Sequence, residues 1–345
     1  MGGDALIKVL DCTLRDGGYV NDWKFSRAAF DKIVIELQNV GVDVIEVGMM
    51  VKNSAAEFTT KFSAFEDIPP IPRVEGTRSL FTVMFTCGEA KGIEIPPRQP
   101  DGIEAIRLAY FKSDYREALE LAEDLKRKGY KVFLQAMATF MYSDAELREM
   151  LSKVNRLKPL YFCMVDSFGV MYNEDVRRMF HSVDEVLDAD IGLGFHAHNN
   201  QQLALGNAIE FIELASNSAR NICVDASIYG MGRGAGNVNL ELLLHYMNRK
   251  HGTNYDVDRV IFMWRDYLLE DYKKYFWGYT WEYFFSAKNE TNSAYIWYMK
   301  ALKGVKDVEA IKSILEAIPY EHRYTLRRNV VDPLIDEYKK RGHDA

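Results

Sequence analysis

The sequence predicts an α/β fold, a (β/α)8 TIM barrel with a small helical C-terminal domain. Short β-branched runs recur as far as residue 228, amphipathic stretches lie between several of them, and the alternation then stops. Strict alternation of strand and helix indicates parallel βαβ units, and a closed barrel needs eight of them. A doubly wound open sheet is the alternative. We place the barrel at residues 1–250 and the helical domain at 251–345.

The eight β-branched runs are the predicted strands. They are Ile7–Asp11, Val42–Gly48, Leu80–Thr86, Ala105–Phe111, Val132–Thr139, Tyr161–Ser167, Ile191–His198 and Ile222–Ile228. Ser26, Ser143 and Asn173 precede helical patterns as N-cap candidates, and Gly129 follows one as a stop signal.

The chain changes character after about His251. Aromatic residues are dense from Phe262 to Tyr298, and no strand-and-crossover rhythm continues. A helix is predicted between a capping Asp307 and a stop at Pro319, and a last one over about Tyr324–Arg341. So many large rings fill a core or an interface, and we expect part of this domain to form the contact of a homodimer.

Composition excludes several classes of function. The chain of 345 residues has a net charge of −7, which leaves no basic footprint for nucleic acid. Its start lacks the features of a signal peptide, and no uncharged stretch is long enough for a bilayer, so we expect a cytoplasmic protein without a membrane partner. Four widely spaced cysteines are expected to be reduced thiols of the core: Cys12, Cys87, Cys163 and Cys223.

Barrel enzymes carry their chemistry at the carboxyl ends of the strands, and a first polar motif lies there after strand one. It runs from Asp11 to Gly18 and contains Arg15 followed by Asp16. The carboxylate suits a cation and the guanidinium suits an anion. The alternative is a solvated Arg–Asp pair in a turn.

A second motif ends strand seven with His196 and His198. Residues two apart in a strand point to the same side, so both imidazoles are expected to face the barrel axis and share one metal. Gly192 and Gly194 have the same parity, which predicts unusually empty layers beneath the histidines.

A third motif follows strand eight, from Gly230 to Asn237, and precedes an apolar helix. Gly232 and Gly234 let the backbone approach a substrate, and Asn237 offers an oxygen ligand. A glycine-rich turn alone is weak evidence, but this one is in register with the other two motifs.

Two histidines and one carboxylate suit Mn²⁺, Mg²⁺, Co²⁺ or Zn²⁺ and leave coordination positions open. A 2-oxo acid can chelate such a metal through its carboxylate and keto oxygens. The metal then stabilises an enolate as a Lewis acid, and Arg15 adds positive charge where the oxyanion develops.

The three motifs together resemble the DRE-TIM metallolyase superfamily, whose members include 4-hydroxy-2-oxovalerate aldolases, and the aldolase branch is the most similar. The resemblance covers about residues 5–250. It implies that Asp16, His196 and His198 bind the metal, most readily Mn²⁺, with Asn237 as a weaker ligand. It also implies that Arg15 stabilises the enolate, and that the acidic positions of some relatives correspond here to two residues: Glu46 and Asp166.

One departure concerns the general base. These aldolases have a histidine three residues after the metal-binding aspartate, and Tyr19 stands in that position here. A tyrosine is a weak base at neutral pH, so either Tyr19 acts through a metal-bound water or another group, such as Lys112 at the end of strand four, takes the proton. Arg107 of the same strand faces the substrate or the core, depending on register.

Three functions compete on this basis. The first is aldol chemistry on a 4-hydroxy-2-oxo acid through a pyruvate enolate, for which the resemblance implies an aldehyde dehydrogenase partner. The second is a Claisen-type acyltransferase that condenses acetyl-CoA with a 2-oxo acid, ranked lower because few residues follow the barrel. The third is a non-enzymatic docking subunit that uses the aromatic surface.

Overall fold

The structure, a computed structural model, describes residues 6–52, 59–89, 91–218 and 220–340. Within them, eight parallel strands close into a barrel, because the last strand of the ring pairs with the first and the first also pairs with the second. A ninth strand of two residues pairs with β2 outside the ring. The strands are β1 Ile7–Asp11, β2 Val44–Met50, β3 Lys61–Phe62, β4 Leu80–Thr86, β5 Ala105–Tyr110, β6 Lys131–Ala136, β7 Tyr161–Asp166, β8 Gly192–Ala197 and β9 Ile222–Ala226.

Helices cover the barrel and continue beyond it. They are α1 Thr13–Asp16, α2 Gly18–Asn21, α3 Arg27–Val40, α4 Tyr115–Arg127, α5 Asp144–Leu157, α6 Asn173–Asp184, α7 Ala204–Ser218, α8 Leu240–His251, α9 Val257–Met263, α10 Leu269–Tyr275, α11 Trp281–Lys288, α12 Ala294–Trp297, α13 Val308–Ala317 and α14 Arg328–Lys340.

The predicted barrel is confirmed, and all eight predicted strands form it. Ser26 and Ser143 cap their helices as expected, through bonds from the backbone N–H groups of the third helical residues. Asn173 does not act as a cap, because it is already the first residue of α6 and the Asp175 carboxylate accepts the N–H of Tyr172.

The prediction of empty layers beneath the histidines is wrong. A Cβ on Gly192 would lie 2.4 Å from the Tyr161 ring, and one on Gly194 would lie 2.3 Å from Cys163 Sγ. These two β7 side chains therefore fill the space that the β8 glycines leave. They belong to the lower layer of the barrel interior, a wholly apolar cluster of buried residues: Leu10, Cys12, Val44, Leu80, Ala105, Phe133, Tyr161, Cys163 and Cys223.

Beyond residue 250 the chain is helical, and its apolar residues belong to two separate clusters. The core around the barrel includes residues as far along as Trp277, with α9 packed against α3 and α8. A second apolar cluster, between Tyr295 and Ile335, is formed within the C-terminal helices. Asp307 caps α13 as predicted. The last helix begins at Arg328, four residues later than expected, and residue 341 lies outside the described residues.

The C-terminal helices touch the barrel at its carboxyl end. The rings of Phe111 and Tyr324 lie 5.9 Å apart between centroids, and Arg233 donates a hydrogen bond to Asn292. Among the described residues, every helix is too short or too polar to cross a bilayer.

Candidate metal centre

Asp16, His196 and His198 meet at the carboxyl end of the barrel. Asp16 ends the short helix that follows β1, His196 lies in β8, and His198 follows that strand. One potential ligand atom from each residue lies within 4.8 Å of the other two, and all three side chains are buried. Both histidines therefore lie beside Asp16, which is distant from them in sequence.

The charges of this cluster suit a cation. Burial raises the pKa of Asp16, but the Arg15 guanidinium and the two imidazoles outweigh it and hold that pKa below its usual range. Burial lowers the pKa of His198 to about 3. Asp16 is therefore ionised and His198 neutral at physiological pH, which are the protonation states that metal binding requires.

Asp225 fixes the orientation of His196. Its Oδ2 lies 2.8 Å from His196 Nδ1, which leaves Nε2 for a ligand. A carboxylate behind a histidine in this way is the usual support of a metal-binding imidazole. Asp225 was not among the predicted site residues, although a single acidic residue in the apolar run Ile222–Ala226 was a usable signal.

A chain of buried ion pairs continues from Asp225 to Arg15. Arg107 pairs with both Asp225 and Glu46, and Glu46 Oε2 accepts from Arg107 Nη1 and Arg15 Nε at 2.7 Å each. Arg15 also pairs with Asp16. Burial lowers the pKa of Arg15, but the charges of Glu46 and Asp16 outweigh it and keep that pKa well above its ordinary value.

Arg107 lies in the barrel interior beneath the site and is fully buried. The structure thus settles the register that the sequence left open, and it corrects the expected contact of Arg107 with substrate. Both ends of its guanidinium are held by carboxylates, and the cavity described below is lined by other residues. Glu46 likewise lies between two arginines, where it can orient Arg15.

Asn237 and the glycines of its loop pack directly against Asp16. Asn237 Nδ2 donates to Asp16 Oδ2 at 2.8 Å, while the buried Asn237 Oδ1 has no hydrogen-bond partner in the described part of the chain. A Cβ on Gly232 would lie 2.7 Å from Asp16 Oδ2, and one on Gly234, whose φ is 66°, would lie 2.6 Å from Asn200 Oδ1. The two glycines therefore allow the loop to close on the site.

A small cavity of about 60 Å³ opens above the cluster. It is lined by Arg15, Asp16, Tyr19, Met84, Thr86, Ala109, Gln135, Met137, Val165, Ser167, His196, His198 and Arg233. Burial raises the pKa of the Tyr19 hydroxyl, and Arg233 offsets this only in part, so Tyr19 is protonated at neutral pH. Gln135 Nε2 is buried without a hydrogen-bond partner among the described residues.

Gln135, Ser167 and Arg233 were not among the predicted site residues. Gln135 and Ser167 stand at the ends of apolar strand runs, as the predicted residues do, so the same positional argument could have found them. Arg233 was visible within the glycine-rich motif, but nothing in that motif shows where its side chain points.

Lys112 and Asp166 do not reach this cavity, which corrects their expected catalytic placement. Lys112 is half-exposed and forms an ion pair with Glu146 beside a separate cavity. Asp166 accepts the backbone N–H groups of Val170 at 2.9 Å and Met171 at 3.1 Å, and burial raises its pKa to about 6. Asp166 therefore shapes the loop after β7.

Comparison with known proteins agrees with this geometry. The family model described as HMGL-like matches residues 6–263. The chain belongs to the HMGL-like family. A 4-hydroxy-2-oxovalerate aldolase of Thermomicrobium roseum is 30% identical over 257 residues, which are 73% of this chain and 69% of the relative.

Two further proteins are similar to this chain. An oxaloacetate decarboxylase of Mycobacterium tuberculosis is 25% identical over 255 residues, 73% of each chain. A solved N-terminal domain from Bacteroides vulgatus has a TM-score of 0.70 at 26% identity and covers 86% of this chain and 100% of that one. The protein is thus a DRE-TIM metallolyase, an enzyme of the lyase class, in a family whose aldolases use a divalent metal.

Proposed function

We propose that this protein is a divalent-metal-dependent aldolase that cleaves or forms a 4-hydroxy-2-oxo acid through a pyruvate enolate. The observation that carries the proposal is the meeting of Asp16, His196 and His198 beside the Arg15 guanidinium, at the base of a cavity in the barrel mouth. A cation held by these three residues would lie beside a fixed positive charge, and an enolate oxygen is stabilised by both.

The donor set fits a divalent cation. Asp16, His196 and His198 would hold it, and the unpartnered Oδ1 of Asn237, whose Nδ2 contacts Asp16, is a candidate fourth ligand atom. We propose Mn²⁺ first, with Mg²⁺, Co²⁺ and Zn²⁺ as alternatives, because mixed nitrogen and oxygen ligands suit all four. The bound cation supplies Lewis-acid stabilisation of the enolate.

Arg15 is the group that stabilises the developing charge from the protein side. Its guanidinium is permanently charged and is held on one side by Glu46 and on the other by Asp16, so it does not reorganise as the reaction proceeds. Gln135 Nε2 and the Ser167 hydroxyl line the same cavity and are suited to bind and orient the substrate carboxylate.

Tyr19 is the proposed acceptor of the proton from the 4-hydroxyl group. Because its raised pKa keeps it protonated, Tyr19 Oη accepts the substrate proton only as it releases its own. Part of the Tyr19 side chain is exposed at the cavity rim although its hydroxyl is buried, so the hydroxyl can pass its proton to water that enters the cavity. Tyr19 thus acts as a relay, and Lys112 is too far to one side to replace it.

The test is release of pyruvate from a panel of 4-hydroxy-2-oxo acids with aldehyde halves of different size, followed through NADH oxidation by added lactate dehydrogenase. We expect Mn²⁺-dependent release, its loss in EDTA and its return with added metal. Asp22→Asn is a matched control for Asp16→Asn, because Asp22 is an exposed carboxylate of the same segment.

Two results would redirect the proposal. Absence of pyruvate from every 4-hydroxy-2-oxo acid, with metal content verified, would contradict it. Release of CoA from acetyl-CoA and a 2-oxo acid would favour the Claisen-type acyltransferase instead. A homodimer and an aldehyde dehydrogenase partner stay predictions, which light scattering and co-purification can test.

Decarboxylation of oxaloacetate is a second candidate, favoured by the relative of that name. Loss of CO₂ from oxaloacetate leaves the same pyruvate enolate, so the cation site and Arg15 serve both reactions. Including oxaloacetate in the panel separates the two, since only one of them also yields an aldehyde.

A further inference from the structure

Arg233 differs from the other two arginines near the site. Arg15 and Arg107 each form ion pairs with two carboxylates. Among the described residues, no carboxylate lies within ion-pair distance of Arg233, although its side chain lines the metal-site cavity. Its guanidinium is therefore without an ion pair in the described part of the chain, and it lines the space that a substrate would occupy.

The position of Arg233 is fixed from two sides. Its guanidinium carbon lies 5.3 Å from the centroid of the Tyr19 ring, and it donates a hydrogen bond to Asn292 Oδ1. Asn292 is itself buried and held, since it accepts the N–H of Ala294 and donates to the carbonyl of Tyr324, at 2.9 and 2.8 Å. Asn292, between α11 and α12, thus holds the Arg233 guanidinium at the cavity.

The location of this cation decides which part of a substrate it meets. Gln135 and Ser167 lie on the β6–β7 side of the ring, where Gln135 Nε2 is a buried donor without a described partner. That side suits the carboxylate next to the keto group. Arg233 follows β9, two strands from β7 in the ring, and lies beside the partly exposed Tyr19 at the rim, so we assign it to the end of the substrate that is nearer to solvent.

We propose that Arg233 binds a second carboxylate at the aldehyde end of the substrate, so that the preferred substrate is a 4-hydroxy-2-oxo dicarboxylate. A planar guanidinium binds a carboxylate through two parallel hydrogen bonds, and the donors of Arg233 not engaged by Asn292 remain for this. The inference rests on the proposed function, because it assumes that the cavity holds a 2-oxo acid.

The direct test compares substrates that differ only at the terminal group. The pairs are 4-hydroxy-2-oxopentanedioate with 4-hydroxy-2-oxopentanoate, and the corresponding seven-carbon compounds, which vary the reach to Arg233. We expect the dicarboxylate of at least one pair to be favoured roughly 10–100-fold in kcat/KM, as a charged hydrogen-bonded pair implies. Arg233→Gln should lower the ratio of the two kcat/KM values to about one, and Arg233→Lys should retain part of the preference for the dicarboxylate.

Arg177→Gln is the matched control, since Arg177 is an exposed arginine whose partner is Glu210 on the outer helices. It should leave the ratio as in the wild type. A wild-type preference for the monocarboxylate in both pairs would overturn the proposal. So would an equal loss on both members of a pair in Arg233→Gln, because Arg233 would then serve the carboxylate that all 2-oxo acids share.

A binding measurement keeps this inference separate from the proposed function. 2-Oxopentanedioate and 2-oxopentanoate lack the 4-hydroxyl group and cannot undergo the aldol cleavage, so calorimetry on the Mn²⁺-loaded protein compares them directly. We expect tighter binding of the dicarboxylate, lost in Arg233→Gln. If no compound is cleaved but this difference holds, the aldolase proposal fails alone; equal binding of the two acids overturns the role of Arg233.

Discussion

The interior of the barrel contains two layers of side chains that use the same strands and have opposite chemistry. In the lower layer, Val44, Ala105 and Cys223 belong to an apolar cluster. Two residues further along each strand, in the upper layer, stand the charged residues of the ion-pair chain: Glu46, Arg107 and Asp225. On each of these strands, an apolar inward residue is therefore followed directly by a charged inward residue.

The comparison shows why both layers are needed. A chain of buried charges is costly to desolvate and is weak support for a fold by itself, so the apolar layer below it supplies the packing. The charged layer holds the orientation of Arg15 and His196 at the barrel mouth. Stability and chemistry should therefore respond to different substitutions.

The largest expected effect follows from removing the charge of the metal site. Asp16→Asn should lower pyruvate release by about 1,000-fold or more, since even residues behind metal ligands contribute roughly 10–100-fold. Metal content measured by mass spectrometry should fall in parallel, while Asp22→Asn retains its metal. Full activity of Asp16→Asn would contradict the assignment of the chemistry to the charged residues at the barrel mouth.

The next effect belongs to the lower layer. Phe133 is buried and its ring stacks on Tyr161 with centroids 4.8 Å apart. Phe133→Ala should lower the free energy of unfolding by about 3–5 kcal/mol, measured by urea denaturation, because it leaves a cavity. The metal affinity of the folded variant should change little. Phe262→Ala, at an exposed ring, is the control and should cost less than about 0.5 kcal/mol.

Asp225 gives a smaller effect on the upper layer. Asp225→Asn should weaken metal binding roughly 10–100-fold, because His196 loses the carboxylate that orients it. Cys223→Ala, one layer below on the same strand, should bind metal as the wild type does. Titration of the metal-free proteins with Mn²⁺ measures both, and equal losses would show that the layers are coupled.

The smallest effect is expected at Lys112, outside both layers. Lys112→Ala should change kcat/KM for pyruvate release by less than about threefold, because its half-exposed ion pair with Glu146 contributes little. Tyr19→Phe should lower kcat far more, because it removes the relay hydroxyl. A large loss in Lys112→Ala would instead support the lysine as the base.

The sequence predicted the parts of this arrangement that depend on local periodicity. β-Branched runs located all eight strands, and the two-residue spacing of His196 and His198 brought both to one side. Strand ends were less certain, and Lys112 shows the consequence: it lies in a turn beyond β5 and points away from the axis.

Pairings between distant strands could not be derived from the sequence. Glu46 and Arg107 are 61 positions apart, and only the closed ring brings their charges together. The direction of Arg233 depends on Asn292, 59 positions further along and in another part of the fold. Periodicity within one strand contains no information about either contact.

The buried cysteines of the lower layer can report on opening of the barrel. Cys163 Sγ occupies the hollow beside Gly194, between two paired strands, and burial raises the pKa of its thiol far above the usual range. Cys223, in β9, shares that burial and that direction. A thiol reagent can therefore reach these sulfurs only when the ring of strands parts, so the rate of labelling in the native protein would time the opening of the barrel.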